Sequence, residues 1–586
     1  MLLASVLILG SLAVHAQAAL AAPAVGAFAD ERYLEDFAFL RDTIARDGAA
    51  VRVRKLDWRA ICARFEPRFA AAKTDAEHVR NVMELLATLG DAHTGVTRSS
   101  VPWEDLPRKF DGIFGCGLWW REDSGKFVVA GLEPSVDRTR VPPLGSVLVE
   151  IGHEPAWLAL GRDRARLTRW FGTSSDHSLY ASLGNALLPV RGANVAHVLV
   201  VTPEGDARDF DLPRFAPNGK SFDPARAQLA PGIEWQEGAT SGFVNHRSGK
   251  RIGVLVITGG MDADTVAKFH AAFDRLKGMD ALVLDARHAG GGSDRSAWEM
   301  AGRLYPEGED NGLHGRIEPS GAWQFDGPVV FLQDASMVSS AETLAWAVTE
   351  QGRTISIGRP TGGWGIIPNG FKCPSGLVDF RLGVNARPTP VKRVQTEGIG
   401  WPPDVTTPPY FAWSAASSKD APGTVDATLD LGFDVAALVA SGVDQDVART
   451  AFRALFDGKC DEFATTIAKS AKAAPWFDAR GAASRRKEQI GDEVKHELAL
   501  LAGDEVVCPD VASSEARFAA GSARARAAGF AKSADAWKSA LASRKAEAAA
   551  QRAYLEALGE QAELDPAQKK AFLAKYGKSK VAAFVK

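Results

Sequence analysis

What this 586-residue sequence has little of narrows its chemistry first. It carries only five cysteines, Cys62, Cys116, Cys373, Cys460 and Cys508, and no two stand in a C-x-x-C pair. That spacing argues against a structural zinc site, and the odd count excludes a fully paired disulfide framework. Cys460 and Cys508 are the two that an oxidising compartment would allow to pair. Neither sign of charge dominates: 69 Lys and Arg stand against 72 Asp and Glu, a net charge of −3. Attraction of the whole chain to nucleic acid or to an anionic membrane is therefore not expected. No stretch beyond residue 22 approaches the roughly 18 consecutive apolar residues of a membrane span. No repeat of fixed period occurs. Hydrophobic residues are 46% and charged residues 24%, which excludes a rod or a mostly disordered chain. At roughly 150 residues per domain, the length suggests three or four domains.

What is present divides into five textures. Leu2 to Ala22 is apolar and uncharged except for His15, and small residues around Ala16-Gln17-Ala18 offer cleavage sites. Residues 1–22 read as a secretory signal peptide, which predicts export to a periplasmic or extracellular compartment with no membrane span after its removal. Residues 28–105 open with helical spacing: Tyr33, Phe37, Leu40 and Ile44, then Val79, Val82, Met83, Leu86 and Leu89. This helical region ends in Leu89-Gly90-Asp91-Ala92-His93-Thr94. Residues 108–212 turn to short β-rich runs such as Phe127-Val128-Val129 and Ala196–Val201, punctuated by Gly and Pro. Between those runs, Arg166–Ser182 fits either helix or loop.

Residues 230–410 alternate strand and helix from Gly253 onward. Strands are expected at Gly253–Ile257, Ala281–Leu284, Val329–Leu332 and Ile355–Ile357. Helices are expected at Asp262–Leu276, Ser296–Leu304 and Ser340–Glu350. Such alternation predicts βαβ units and an α/β core. Residues 425–586 lose the strands and read as helical throughout. Their last clear helix starts at Asp565-Pro566 and ends at Gly577. From Gly521 onward 13 basic residues face 6 acidic ones, a balance that a solvated helical surface accounts for.

Four stretches could carry chemistry. The first is Asp334–Glu342, where a strand leads to Ser339 and a helix follows. A serine there meets free N–H groups and the positive end of a helix, which stabilise an alkoxide or an oxyanion. Ser339-x-x-Glu342 is equally a capping box, a purely structural device. The second is Asp285-Ala286-Arg287-His288-Ala289-Gly290-Gly291-Gly292-Ser293. Its glycines let backbone amides approach a ligand, and a flexible turn explains them too. No P-loop Lys-Ser/Thr follows, so nucleotide binding is not indicated. The third is His93, beside Asp91 and Thr94, either a base or a capping and packing group. The fourth is Thr396–Val405, which by itself reads as a loop.

In this order the four stretches resemble the carboxy-terminal processing (tail-specific) serine peptidases, and more closely the branch related to the tricorn core protease. The resemblance covers roughly residues 30–410. It implies a crotonase-like α/β catalytic core, an N-terminal helical bundle carrying His93, a PDZ-like β-rich module and an all-α C-terminal region. Ser339 matches the nucleophile, His93 the base and Glu397 the glutamate that completes that branch's relay. The N–H groups of Gly291 and Ser340 match the oxyanion hole, with Gly290 the near alternative and a substrate-binding position. Gly115 and Gly117, in Phe114-Gly115-Cys116-Gly117-Leu118, match the carboxylate-binding edge of the module. The family requires no metal or cofactor, and its substrate is a peptide or unfolded protein.

Three residues depart from the pattern. Trp364 stands where the processing peptidases carry a lysine base, in Pro360-Thr361-Gly362-Gly363-Trp364-Gly365. A Ser–Lys dyad at that position is excluded, which leaves His93 as the base. Ala92 stands where the tricorn core has a serine linking its histidine to its glutamate. Glu397 then reaches His93 directly, through water, or not at all, and Asp91 or Thr94 is the other candidate to orient the ring. Ala289 stands where the glycine loop usually carries asparagine. These residues frame two expectations: a peptidase that passes through a Ser339 acyl-enzyme, or a silent peptide-binding protein of the same fold.

Overall fold

The computed structural model describes residues 30–586 except 109–117, 124–125, 133–135, 187–194, 214–232, 234–235, 237, 312–314, 387, 390, 412, 414–425, 471–473, 504–510, 560–562 and 586. Residues 1–22, Gly115, Gly117 and Cys508 lie outside the described residues. Cys460 is a buried free thiol.

The chain forms a mixed α/β, multidomain structure around a six-stranded sheet. The strands are Ala239–Asn245, Arg251–Met261, Ala281–Gly292, Val329–Gln333, Ile355–Gly358 and Val405–Thr406. They lie side by side in sequence order, all parallel except the first. Alternation along the strands loads both faces, as a pleat requires. Ile252, Val254, Val256, Val283 and Val330 point into one core. Leu255, Ile257, Leu282, Leu284 and Phe331 point into the other. Helices Ala263–Asp274, Asp294–Ala301 and Ser340–Thr349 cover the second face. The first is capped by Asp262, which accepts the Thr265 N–H.

The first face is covered by the C-terminal helices. Helix Ala427–Ala440 packs against the central strands, and Gln445–Phe456, Cys460–Ser470 and Ala479–Gly503 extend the same core outward. The beginning of the all-α region thus forms one layer of the α/β core. Its far end turns to the β-rich module. Tyr554, Leu555 and Phe572 cluster with Trp157 and Leu158. Helix Pro566–Tyr576 starts on Asp565 with proline in its first turn and is capped by Gly577.

The β-rich module is a largely antiparallel sheet of Leu118–Asp123, Lys126–Leu132, Val147–Ile151, Val195–Val201 and Ala207–Pro213. The stretch left open between helix and loop is helical on both sides of a break. Helices Ala156–Trp170 and Asp176–Ala186 flank residues 171–175.

The N-terminal helices Glu31–Asp47, Trp58–Ala71 and Asp75–Ala87 are each capped by a polar side chain: Asp30, Asp57 and Thr74. Their apolar faces do not close on one another alone. Leu40, Phe65, Val79 and Leu86 share a core with Ile366, Val378, Phe380 and Leu382. The latter belong to a hairpin, Ile366–Lys372 and Val378–Ala386, whose second strand also pairs with Gly95–Ser99. This hairpin joins the helical arm to the α/β core beside the turn that carries His93.

Candidate active site

Strand Val329–Gln333 ends in a tight turn in which the Met337 N–H donates to the Asp334 carbonyl at 3.0 Å. The chain then passes through Ser339 into helix Ser340–Thr349. Ser339 has φ 57° and ψ −126°, a left-handed conformation that glycine tolerates and serine does not favour. Such a residue costs about 1–3 kcal/mol and marks sites where geometry serves a task. The turn is held by the module: Arg121 Nε donates to Asp334 Oδ2 at 3.1 Å and its Nη2 to Ser336 Oγ at 3.2 Å.

The capping box read at Ser339-x-x-Glu342 is present, with the Ser339 N–H donating to Glu342 Oε2 at 3.1 Å. The same serine also does what a cap does not require. Its Oγ lies 2.9 Å from Nε2 of His93, 246 residues away in sequence. With Nδ1 carrying the ring proton, Nε2 accepts from the hydroxyl, the geometry a general base needs.

His93 is fixed by its own turn. Asp91, fully buried, accepts the His93 N–H on Oδ1 at 2.9 Å and the Thr94 hydroxyl on Oδ2 at 2.6 Å. The Thr94 hydroxyl oxygen in turn accepts the Gly383 N–H of the hairpin at 2.9 Å. Ser174 Oγ, in the break between the module's helices, accepts the Ala92 N–H at 3.0 Å. Asp91 Oδ1 stands 4.0 Å from His93 Nδ1, and the Ile366 backbone also lies within hydrogen-bonding reach of the ring. Burial holds the His93 pKa below its ordinary 6.5. Asp91 opposes that shift, and Arg381 adds to it.

Glu397 departs from the expected relay. Its carboxylate accepts Arg54 Nη2 at 2.8 Å and the Gly365 N–H at 2.9 Å, not the imidazole. The physical reason is local: Arg54 offers it an ion pair, and Asp91, a like charge, already stands beside the ring. Burial and repulsion from Asp91 push the Glu397 pKa up to about 7, against the pull of Arg54. Arg54 also donates to the Ser174 carbonyl at 2.5 Å. Arg54 and Ser174 are site residues that the sequence reading missed, since neither sits in a motif.

The glycine loop comes to the nucleophile. Strands Arg251–Met261 and Ala281–Gly292 pair Ala289 with Gly259 and Gly292 with Met261, and an irregularity between those pairs leaves Gly290 and Gly291 off the ladder. A Cβ on Gly291 would lie 2.5 Å from Ser339 Cβ and 2.9 Å from Ser339 Oγ. A Cβ on Gly290 would meet the Gly259 carbonyl at 3.2 Å, with nothing of Ser339 among its nearest atoms. Ser340 is the first residue of its helix, where intrahelical carbonyls do not reach the N–H. Gly291 and Ser340 therefore flank Ser339.

Trp364 stands where the processing peptidases carry lysine. Its ring meets the His93 ring edge-on at 5.4 Å and 81°, and its Nε1 donates to Ser178 Oγ at 3.0 Å. It walls the imidazole instead of supplying a base. Among the described residues no cluster of three or more His, Cys, Asp or Glu side chains is arranged to hold a metal ion. Among them no helix is long and apolar enough to cross a membrane.

A layered α/β core with a strained serine at a helix start, a histidine on its hydroxyl and glycine amides beside it defines a site suited to acyl transfer. Residues 251–407 match Peptidase family S41, which supports a serine-type peptidase domain in that stretch. Among solved structures, the chain is similar to the photosystem II D1 C-terminal processing protease at 18% identity, TM-score 0.40, over 64% of this chain and 93% of that one. It is similar to mature CPAF complexed with lactacystin at 14% identity, TM-score 0.44, over 64% and 93%. For the tricorn protease the values are 16% identity and TM-score 0.35, over 64% of this chain and 34% of that one.

Proposed function

We propose that the protein is an exported serine endopeptidase in which Ser339 is the nucleophile and His93 the general base. The observation that carries this reading is the 2.9 Å approach of His93 Nε2 to Ser339 Oγ across 246 residues of sequence. A serine hydroxyl is a poor nucleophile at neutral pH unless a base takes its proton. His93 takes it as Oγ attacks the scissile carbonyl, then returns it to the leaving amine. The Gly291 and Ser340 N–H groups receive the oxyanion, each worth roughly 2.7–4 kcal/mol in the transition state. Water, deprotonated by the same imidazole, then releases the acyl group from Ser339.

Asp91 is the carboxylate best placed to support the imidazolium. It holds the His93 backbone and stands nearest Nδ1. Glu397 completes the wall of the site through Arg54 and Gly365. Under this reading the β-rich module is PDZ-like and binds the carboxy terminus of an unfolded chain.

The test compares the purified mature protein with its Ser339→Ala variant on a denatured protein mixture, reading new peptide termini by mass spectrometry. Termini made by the wild type alone are expected. Peptide affinity in both proteins with no new termini would overturn the reading in favour of a silent peptide-binding relative.

A further inference from the structure

Glu342 lies one helical turn after Ser339 and is 1% exposed, inside the core of the serine helix. A capping glutamate normally reaches back to one N–H at the rim of a helix. Glu342 gathers four donors from two segments of chain. Oε2 accepts the N–H of Ser339 at 3.1 Å and of Trp364 at 2.7 Å. Oε1 accepts the Gly363 N–H at 2.9 Å and the Thr361 hydroxyl. The Thr361 oxygen accepts the Trp401 N–H at 2.7 Å, so the cluster extends to the loop beyond Glu397.

The two segments it joins are those that flank the reacting pair. One is the strained backbone of Ser339. The other is the 361–364 loop, whose Trp364 ring abuts His93. This loop already presses on the serine turn: the Gly362 N–H donates to the Met337 carbonyl at 2.6 Å. A Cβ on Gly362 would lie 2.5 Å from Val338 Cγ1. A positive φ at serine persists only where the surroundings over-determine it, and Glu342 supplies the acceptor for that residue's own N–H.

We propose that Glu342 is a positioning residue, its buried carboxylate holding Ser339 in the strained attacking conformation and seating the loop that walls His93. The inference rests on the peptidase reading above. All four partners donate, so the site selects an acceptor with two oxygens. Burial pushes the Glu342 pKa up to about 7, against the pull of its four hydrogen bonds, which favour the carboxylate. A carboxylate in that setting does more than end a helix, where an exposed Glu or Gln serves as well.

The experiment uses the full chain, with Glu342→Gln, Glu342→Ala and Thr361→Val as variants. Three quantities are read: kcat and KM on a cleaved peptide, the rate of Ser339 labelling by a fluorophosphonate, and Tm. Glutamine keeps the size and one acceptor but presents a donor to a donor. A nucleophile displaced by an ångström loses on the order of 100-fold. The expected order is therefore wild type, Thr361→Val, Glu342→Gln, Glu342→Ala. The kcat loss runs from a few-fold to about 100-fold, KM stays within about twofold, and labelling falls in step with kcat. Folded variants that turn over and label at the wild-type rate would overturn the inference. So would a loss that tracks only the fraction of unfolded protein, with wild-type rates per folded molecule. A wild type that neither cleaves nor labels would instead overturn the peptidase reading on which the inference stands.

Discussion

Ser339 and His93 meet at hydrogen-bond distance, but the two regions that carry them are built on opposite principles. The nucleophile is a local product. Strand Val329–Gln333, its turn and helix Ser340–Thr349 lie within 21 residues, with Arg121 and the 361–364 loop bracing the turn from outside. The base is a product of long-range assembly. Its turn is tied by Gly383 of the hairpin, by Ser174 of the module and, through the hairpin, by the packing of three helices. A fold can thus preserve a nucleophile while tuning the base from outside. The activity should be more sensitive to distant damage on the histidine side than on the serine side.

The largest effect breaks the pair itself. Ser339→Ala and His93→Ala should each reduce kcat by at least ~10³-fold, and the double variant should be no worse than either. Additive losses in a steady-state assay would mean that the two side chains do not act as a unit. Next comes the shared wall. Gly291→Ala should cost on the order of 100-fold in kcat, because its new Cβ would fall 2.5 Å from Ser339 Cβ. Gly290→Ala should be milder, since its closest neighbour is the Gly259 carbonyl. Equal losses in the two variants would remove Gly291 from the oxyanion site.

The comparison sharpens at the carboxylates. Asp91→Asn should lower kcat by roughly 10- to 100-fold, and Glu397→Gln by less than about 10-fold, because Asp91 lies beside the ring while Glu397 is paired with Arg54. The reverse order would restore Glu397 to the relay. The smallest effect is a titration. NMR of the imidazole should place the His93 pKa below 6.5, moving lower in Asp91→Asn and higher in Arg381→Gln. The first change removes a charge that favours the protonated ring, and the second removes one that opposes it. Asp294 favours protonation in all three proteins. A base with a depressed pKa stays unprotonated, and so competent, further into acid.

The same contrast explains what was legible in the sequence. The strands and helices from Gly253 to Ile357 follow from periodicity, because each buries a face of the same sheet. Strand Arg251–Met261 and helix Asp294–Ala301 differ from expectation only at their ends, where local signals are weakest. The hairpin Ile366–Ala386 went unread, although Val378, Phe380 and Leu382 alternate with Asp379 and Arg381. Its first strand carries Pro368 and Gly370, which mimic a loop. The site residues that motifs carry, Ser339, His93 and Gly291, do converge. Those that act through tertiary contact, Arg54, Ser174 and Arg121, leave no pattern, since nothing near them in sequence records their partners. The Arg54 partner of Glu397 left no pattern for the same reason.

The backbone at Ser339 has a consequence for how such a chain evolves. Its φ of 57° belongs to the region that glycine occupies without strain. Ser339→Gly should therefore yield an inactive protein that melts at a higher temperature than the wild type, by a stabilisation of the order of 1 kcal/mol. Drift toward stability alone would erase the serine. A serine in this uncomfortable conformation trades stability for a hydroxyl held in place.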